Sequence, residues 1–294
     1  MKQEHDLRLM FWNVRNLGDD VHVTDETERI KEIAEIIQRE DVDVACLAEV
    51  VGPDIKSKLN DVLPPGYTIF ETASDNPHHL VTIFKNAANR SVMLTQRDEF
   101  KGKKALDRPY PLIEVSQNDK KVAILPMHAK AGTRKFDFKL RQFRLQDVSN
   151  LAATLKADDI PLIALGDMNT VGNGENIDPR DELKRAQYLL YDPTSEDAYK
   201  DWEAAKLILL DKDQPNTWKG IGKKKQRYGE SDLDHVFISE DFKNAVKSVN
   251  DSGSQVRVGG WTDLTSEPDK EEWVRTRSDH GYLIMDINMA PSSS

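Results

Sequence analysis

Hydrophobic residues along this chain are gathered into short runs, and several of the stretches between them are amphipathic. The first run, 7–12, has the length of a buried strand. Residues 25–39 then carry isoleucines at helical spacing, and Thr24 or Asp25 is suited to cap the helix. A second strand-like run follows at 42–48. This strand–helix–strand order predicts a sheet that is covered by helices.

Two more helices and several strands are predicted farther along the chain. Helices are expected at 52–63, where Pro64-Pro65-Gly66 would end the helix, and at about 135–156. Strand-like runs occur at 67–70, 80–84, 92–94, 110–115, 121–127, 160–165, 233–238 and 282–287. The close spacing of the first four indicates antiparallel strands. The segment 172–225 is more polar and less regular, with a helical pattern near 181–190.

Length and composition predict one folded unit. The chain has 294 residues, 38% of them hydrophobic, and no repeat, low-complexity block or linker interrupts it. We therefore expect a single domain over 1–294, with flexible ends at about 1–6 and 290–294. The first residues form no apolar signal core, and no run is long enough to span a membrane. A cytoplasmic protein is expected, or a secreted one if a leader was trimmed from this sequence.

Charge and cysteine content narrow the chemistry. The formal net charge of −10 argues mildly against a passive nucleic-acid binder, because such proteins usually carry a basic excess. It does not exclude an enzyme that meets phosphates through metal ions. Cys46, the only cysteine, lies in an apolar run and is expected to be a small buried hydrophobic residue. A single cysteine rules out a disulfide or a thiolate zinc site within one chain.

Polar side chains stand at the ends of the predicted strands. They are Asn13, Glu49, His128, Asp167, Asn169, Asp234, Asp279 and His280. Each alone has an ordinary explanation as a turn residue, a solvated acid or a hydrogen-bonded core histidine. Alternation places Asp167 and Asn169 on one side of an extended chain. Together, oxygen and imidazole groups without thiolates suit Mg²⁺ or Mn²⁺ better than structural zinc.

The order of these groups resembles the endonuclease/exonuclease/phosphatase superfamily. The matching motifs, spread over about 7–288, are Asn13-Val14-Arg15, Glu49, His128, Gly166-Asp167-Met168-Asn169, Leu233-Asp234-His235 and Ser278-Asp279-His280. The resemblance implies an α/β (α+β) fold, a four-layer sandwich of two packed mixed β-sheets flanked by helices, with the site at one end. Two positions depart from the usual pattern: Ala48 stands where glutamine is common, and Pro126 where asparagine is common.

The same resemblance implies roles for the metal and the attacking water. Glu49 would hold a Mg²⁺ or Mn²⁺ ion, helped by Asn13 and Asp279. His280 would act as the general base on the water, and Asp234 would orient the imidazole ring.

Other residues would act on the water or the phosphate. Asp167 would position the water or help to deprotonate it. Asn169 and His128 would donate hydrogen bonds to the phosphate, and His128 could also protonate the leaving oxygen.

Several basic residues are candidates for contact with the substrate. Arg108 resembles an arginine that touches the substrate phosphate in several nuclease members, although an ordinary surface arginine would also fit. Lys130 and Arg134 could contact a phosphate backbone. The basic tract 219–227 could meet nucleic acid or be a solvated loop. The remaining histidines match no motif and are expected on the surface: His5, His22, His78 and His79.

The favoured interpretation is a Mg²⁺-dependent phosphodiesterase that hydrolyses nucleic acid, with a DNA endonuclease preferred. The preference for DNA depends on the basic candidates and on the segment 229–234, which lacks the signature of the inositol phosphatases. One alternative is a metal-dependent phosphatase or phosphodiesterase that acts on a phospholipid or a small phosphoester. The other is a catalytically silent member that binds a partner, although all the core positions are filled.

Overall fold

A computed structural model describes residues 6–52, 54–73, 77–101, 108–132, 135–169, 202, 204–220 and 230–290. The helical stretch predicted near 181–190 lies outside the described residues, as do 1–5 and 291–294 at the ends predicted to be flexible. No helix in the described ranges is long and apolar enough to cross a bilayer.

The described residues form four α-helices and fourteen strands. The α-helices are α1 (Glu26–Arg39), α2 (Ile55–Val62), α3 (Lys135–Ala157) and α4 (Glu267–Thr276). The first seven strands are β1 (Asp6–Leu17), β2 (Val44–Val50), β3 (Tyr67–Glu71), β4 (His79–Lys85), β5 (Arg90–Arg97), β6 (Tyr110–Gln117) and β7 (Lys120–His128). The others are β8 (Leu162–Asp167), β9 (Leu207–Leu209), β10 (Trp218–Lys219), β11 (Glu230–Ser231), β12 (Asp234–Ser239), β13 (Arg257–Gly259) and β14 (Tyr282–Asn288).

Twelve of these strands form two six-stranded sheets. The first sheet has the order β13-β14-β1-β2-β4-β3, and the second has the order β5-β6-β7-β8-β12-β9. Each is mixed, because β1 and β2 pair in parallel in the first sheet and β7 and β8 pair in parallel in the second. Strands β10 and β11 form a separate antiparallel pair.

Alternation along β1 shows how the layers pack. Leu7, Leu9 and Phe11 point into a hydrophobic core that is shared with the second sheet. Met10 and Trp12 point the other way, into a cluster shared with α1 and α2. Residues of α3 extend the shared core on the second sheet. The predicted sandwich of two mixed sheets flanked by helices is therefore confirmed.

The periodic helices are found close to where they were predicted. The Asp25 carboxylate accepts a hydrogen bond from the Glu28 backbone N–H, so Asp25 is the cap of α1. The predicted antiparallel pairing is also found, in β3–β4 and β5–β6. However, these two pairs belong to different sheets, because the chain passes from the first sheet to the second between β4 and β5. Helix α4 and strands β9 and β13 were not predicted.

Candidate active site

Three candidate residues lie in one row across the second sheet. His128 at the end of β7 pairs with Asp167 at the end of β8, and Asp234 at the start of β12 pairs with Asp167 from the other side. All three side chains are buried. Gly166 makes this close approach possible, because a Cβ there would lie 2.0 Å from the Met127 carbonyl oxygen. The register therefore brings an imidazole and two carboxylates together at one edge.

Two further candidates come from the first sheet, at irregular ends of parallel strands. The β1–β2 pairing shifts register between Asn13 and Leu17, and the β2–β4 pairing shifts between Leu47 and Val50. Within the second irregularity Glu49 has a φ of 60°, which is unusual for a residue with a side chain. Such bulges redirect side chains beside active sites. The Glu49 side chain is half-buried, so it remains accessible from solvent.

Asn13 joins the two sheets. Its Nδ2 donates to Glu49 Oε1 at 3.1 Å and to Asp167 Oδ2 at 2.9 Å. Its Oδ1 accepts a bond of 3.0 Å from the Arg15 backbone N–H. In this arrangement the amide NH₂ faces the carboxylates and holds them in place. The predicted role of Asn13 as a metal ligand stays a prediction.

The segment before β14 carries His280 into the same cluster. Ser278 Oγ donates to the Asn13 carbonyl at 2.6 Å and accepts from the His280 backbone N–H at 3.0 Å. The His280 ring contacts Asp234 Oδ2 through Nδ1 at 2.8 Å, and its Nε2 lies 3.8 Å from Asp167 Oδ2. The structure therefore brings His280 and Asp234 together, as the sequence predicted.

Local charges determine where the protons are held. Burial lowers the pKa of His280, but the carboxylates of Asp234 and Asp167 outweigh burial and raise the pKa to about 10. Burial raises the pKa of Asp167 to about 7, although the charge of His280 opposes this shift. At neutral pH the His280 ring therefore keeps its proton, and the pKa of Asp167 lies near neutrality.

His128 is held as a neutral donor. Arg108 Nη1 donates to His128 Nδ1, because a guanidinium group has no acceptor. The ring proton then resides on Nε2, which lies 3.5 Å from Glu49 Oε1 and 3.7 Å from Asp167 Oδ2. Burial, followed by the charge of Arg108, lowers the pKa of His128 well below its usual value. Arg108 itself is buried, so the alternative of an ordinary surface arginine does not apply.

Asn169 and Lys130 border the same cluster. The backbone N–H of Asn169 donates to Asp167 Oδ1 at 2.9 Å, and its Nδ2 donates to the Ala129 carbonyl at 3.0 Å. Asn169 has a φ of 51°, so the chain turns there and the expected extended alternation is wrong. Lys130 is half-buried, and its charge acts on His128.

Part of the predicted basic surface cannot be placed. Arg134 lies outside the described residues, as do 221–227 of the basic tract. Lys219, at the start of that tract, contacts Glu230 and Glu267 at 2.9 Å each.

Thr217 connects two loops of the site. Its buried Oγ1 accepts from the backbone N–H groups of Leu233 and Asp234 at 3.0 Å each, and its carbonyl accepts from Gly281 N at 2.7 Å. The hydroxyl thus fixes the start of β12. This role was not predicted from the sequence.

Asp279 is buried beside the cluster, and its Oδ2 accepts from Trp218 Nε1 at 3.1 Å. Potential metal ligands form two groups, Glu49–His128–Asp167 and Asp167–Asp234–His280. Within each group, one ligand atom from each residue lies within 4.8 Å of the others. Among the described residues, Asp279 belongs to neither group.

Within these groups, the carboxylates of Glu49 and Asp167 are the best candidates for holding a divalent ion. Burial, and then the charges of Asp234 and Glu49, raise the pKa of the Asp167 carboxylate against the charge of His280, and a cation would offset these effects. Glu49 adds a second carboxylate that solvent can reach. Neither imidazole offers a free lone pair to the ion, because His128 accepts from Arg108 at Nδ1 and carries its proton on Nε2, and the His280 ring is protonated.

The two packed mixed sheets and the carboxylate–histidine cluster at one end define an α/β-sandwich hydrolase fold. The model of the Endonuclease/Exonuclease/phosphatase family matches residues 10–280. The chain therefore belongs to this family, whose enzymes depend on divalent metals, and the resemblance seen in the motifs is confirmed. No curated protein matches the sequence.

Solved structures share this fold over nearly the whole chain. TDP2 from D. rerio, complexed with a single-strand DNA product, is 15% identical with a TM-score of 0.66 and covers 97% of this chain and 100% of its own. An AP endonuclease from Archaeoglobus fulgidus is 15% identical with a TM-score of 0.62, covering 95% and 98%. An endonuclease/exonuclease/phosphatase family protein from Bacteroides thetaiotaomicron is 18% identical with a TM-score of 0.57, covering 96% and 94%. At these identities the similarity shows the fold alone.

Proposed function

We propose that this protein is a Mg²⁺- or Mn²⁺-dependent phosphodiesterase that hydrolyses nucleic acid, with DNA cleaved as by an endonuclease. One observation carries the proposal: the acids Glu49 and Asp167 meet His128 in one cluster, directly beside the Asp234–His280 pair. Two structural neighbours, a TDP2 that was solved with a single-strand DNA product and an AP endonuclease, support nucleic acid as the substrate. We also propose that 1–294 forms a single domain, since the family match spans most of it.

Glu49 is the proposed main ligand of the divalent ion, with Asp167 beside it. When bound, the ion would offset the negative charge that builds on the phosphoryl oxygens during hydrolysis. The contribution predicted for Asp279 remains part of the proposal, since its carboxylate lies at the border of the cluster.

The water is proposed to lose its proton to Asp167 Oδ2. Asp167 Oδ2 lies 3.8 Å from His280 Nε2, so a water held between these two groups would meet the carboxylate as its proton acceptor. His280, whose pKa is about 10, keeps its proton and would stabilise negative charge on a phosphate oxygen through Nε2–H. Asp234 holds the ring through Nδ1. The sequence had suggested His280 as the general base, and Asp167 as a group that positions the water or helps to deprotonate it.

The phosphate is proposed to accept hydrogen bonds from His128 and Asn169. The Nε2–H of His128 points toward the carboxylate cluster, and Arg108 fixes the ring from the other side. The low pKa of His128 favours a hydrogen-bond donor over an acid that protonates the leaving oxygen. Lys130 would contact the neighbouring phosphate backbone of the substrate. Arg134, which lies outside the described residues, is proposed to do the same.

Supercoiled plasmid incubated with the full chain in Mg²⁺ or Mn²⁺ tests this function. Nicking should require the metal, stop with EDTA, and fall on the order of a hundredfold or more in His280→Ala and Asp167→Asn. Absence of nicking with both metals would overturn the endonuclease assignment. RNA, phospholipid and small phosphodiesters would then separate the alternative substrates from a silent scaffold, which should hydrolyse none of them.

A further inference from the structure

His78, which matches no family motif, lies next to the candidate site. It is half-buried and directly precedes β4. The β2–β4 register places His79 opposite Val50, the residue after Glu49. His78 therefore sits beside the end of β2 from which the Glu49 side chain enters the cluster. The expectation of an ordinary surface residue is met only in part, because the residue is half-buried.

The charged neighbours of His78 define its surroundings. Burial lowers its pKa most; Glu49 then acts to raise it, and Arg108 and Lys130 act to lower it. His78 in turn contributes to lowering the pKa of His128. The ring thus lies within electrostatic reach of a carboxylate on one side and of the Arg108–His128–Lys130 group on the other.

His78 belongs to neither of the two groups of potential metal ligands found among the described residues. It also remains partly accessible to solvent. Because the ring Nδ1 is buried, a donor to the substrate would have to be the Nε2–H. An imidazole N–H beside an arginine and a lysine can donate a hydrogen bond to a phosphate oxygen, and the two positive charges favour binding of the phosphate there.

We propose that His78 is a substrate-contacting residue, which donates a hydrogen bond to a backbone phosphate next to the one that is cleaved. Arg108 and Lys130 form the basic surroundings of this contact. The inference rests on the proposed function, and it specifies a substrate with at least two consecutive phosphates.

A matched control lies one residue away. The Nδ1 of His79 is 3.0 Å from the Thr72 carbonyl and 3.0 Å from Glu71 Oε1, so this ring is engaged by β3 and the turn after it. Successive residues of a strand point to opposite faces. His79→Ala should therefore remove an imidazole of the same size without touching the substrate.

The experiment compares an oligonucleotide with bis(p-nitrophenyl) phosphate, which has a single phosphodiester. His78→Ala should raise KM for the oligonucleotide roughly tenfold relative to any change for the small substrate, with kcat little affected. His78→Gln, which keeps a donor, should recover part of the loss, and His79→Ala should behave as wild type. Equal losses on both substrates, or equal losses in His78→Ala and His79→Ala, would overturn the proposal.

Binding of a fluorescein-labelled oligonucleotide in EDTA separates this inference from the proposed function. Wild type that binds the oligonucleotide but hydrolyses neither substrate would refute the function, and anisotropy would still test His78 through a roughly tenfold rise in Kd for His78→Ala. An unchanged Kd in that variant, or no wild-type binding, would refute the role of His78.

Discussion

The Cys46 thiol lies in the core shared by the two sheets and is 2% exposed. Burial raises its pKa to about 12, although a hydrogen bond with Thr82 opposes the shift. Because the folded pKa of this acid exceeds the unfolded pKa, the resulting stability is complete below about pH 9 and is lost as the pH rises toward about 12. Native protein should thus be inert to a disulfide reagent at about pH 8 and react fully in guanidinium chloride. Rapid reaction of the native thiol would contradict this prediction.

Single residues could be predicted where the side-chain type itself carries the chemistry. Cys46 and the polar strand ends fall in this class, and the structure brings Glu49, His128 and Asp167 together. Two other residues could not be predicted, for physical reasons. His78 reaches the site through the register of β2 with β4, and Thr217 acts through bonds to backbone groups that any residue would offer.

The approach of β7 to β8 depends on Gly166. Gly166→Ala would drive a Cβ into the Met127 carbonyl, which belongs to the backbone and cannot rotate away. We expect a loss of roughly 3 kcal/mol in the free energy of unfolding, together with loss of activity as Asp167 is displaced. Gly253→Ala is the control, because its φ of 86° is also positive but no atom lies within 4 Å of the added Cβ. It should cost only about 1 kcal/mol. Urea unfolding measures the free energy of unfolding of both variants. Similar losses in Gly166→Ala and Gly253→Ala would contradict the prediction, because they would show that the clash at residue 166 is relieved.

Elements with an apolar stripe could be predicted, and elements held by other means could not. Helix α1 buries a row of isoleucines at helical spacing. By contrast, α4 buries only Val274, and its start is fixed by a Ser266 side chain that accepts from the Asp269 N–H. The bulge at Glu49 could not be predicted either, because it shifts the pairing of β2 with β4 without changing the hydrophobic pattern of β2.

Metal binding should stabilise the molecule as a whole. At Mg²⁺ or Mn²⁺ concentrations about 100 times Kd, linkage predicts a gain of about 2.7 kcal/mol and a rise in Tm of roughly 5 °C that EDTA reverses. Glu49→Gln should abolish most of this rise, since it removes a carboxylate from the candidate metal group. Glu114→Gln, whose carboxylate pairs with Lys121 outside the cluster, is the control. Thermal unfolding gives the comparison, and an equal rise in both variants would place the ion elsewhere.

The architecture of the whole chain was predicted through the order of its motifs rather than from the strands themselves. Strand-like runs do not show which sheet they join. Here the first four strands and the last two form one sheet, and the strands of the other six-stranded sheet come from the middle of the sequence. The predicted pairs β3–β4 and β5–β6 were right locally, while their separation into two sheets depends on packing between residues far apart in the chain.

Asn13 donates hydrogen bonds to Glu49 of its own sheet and to Asp167 of the other sheet, so the cluster lies across the interface between the two sheets. Neither sheet holds a complete set of reactive groups by itself. The proposed activity should therefore depend on how closely the two sheets pack. A small shift of one sheet relative to the other would separate these groups and abolish the proposed activity. The backbone hydrogen bonds within each sheet would remain intact.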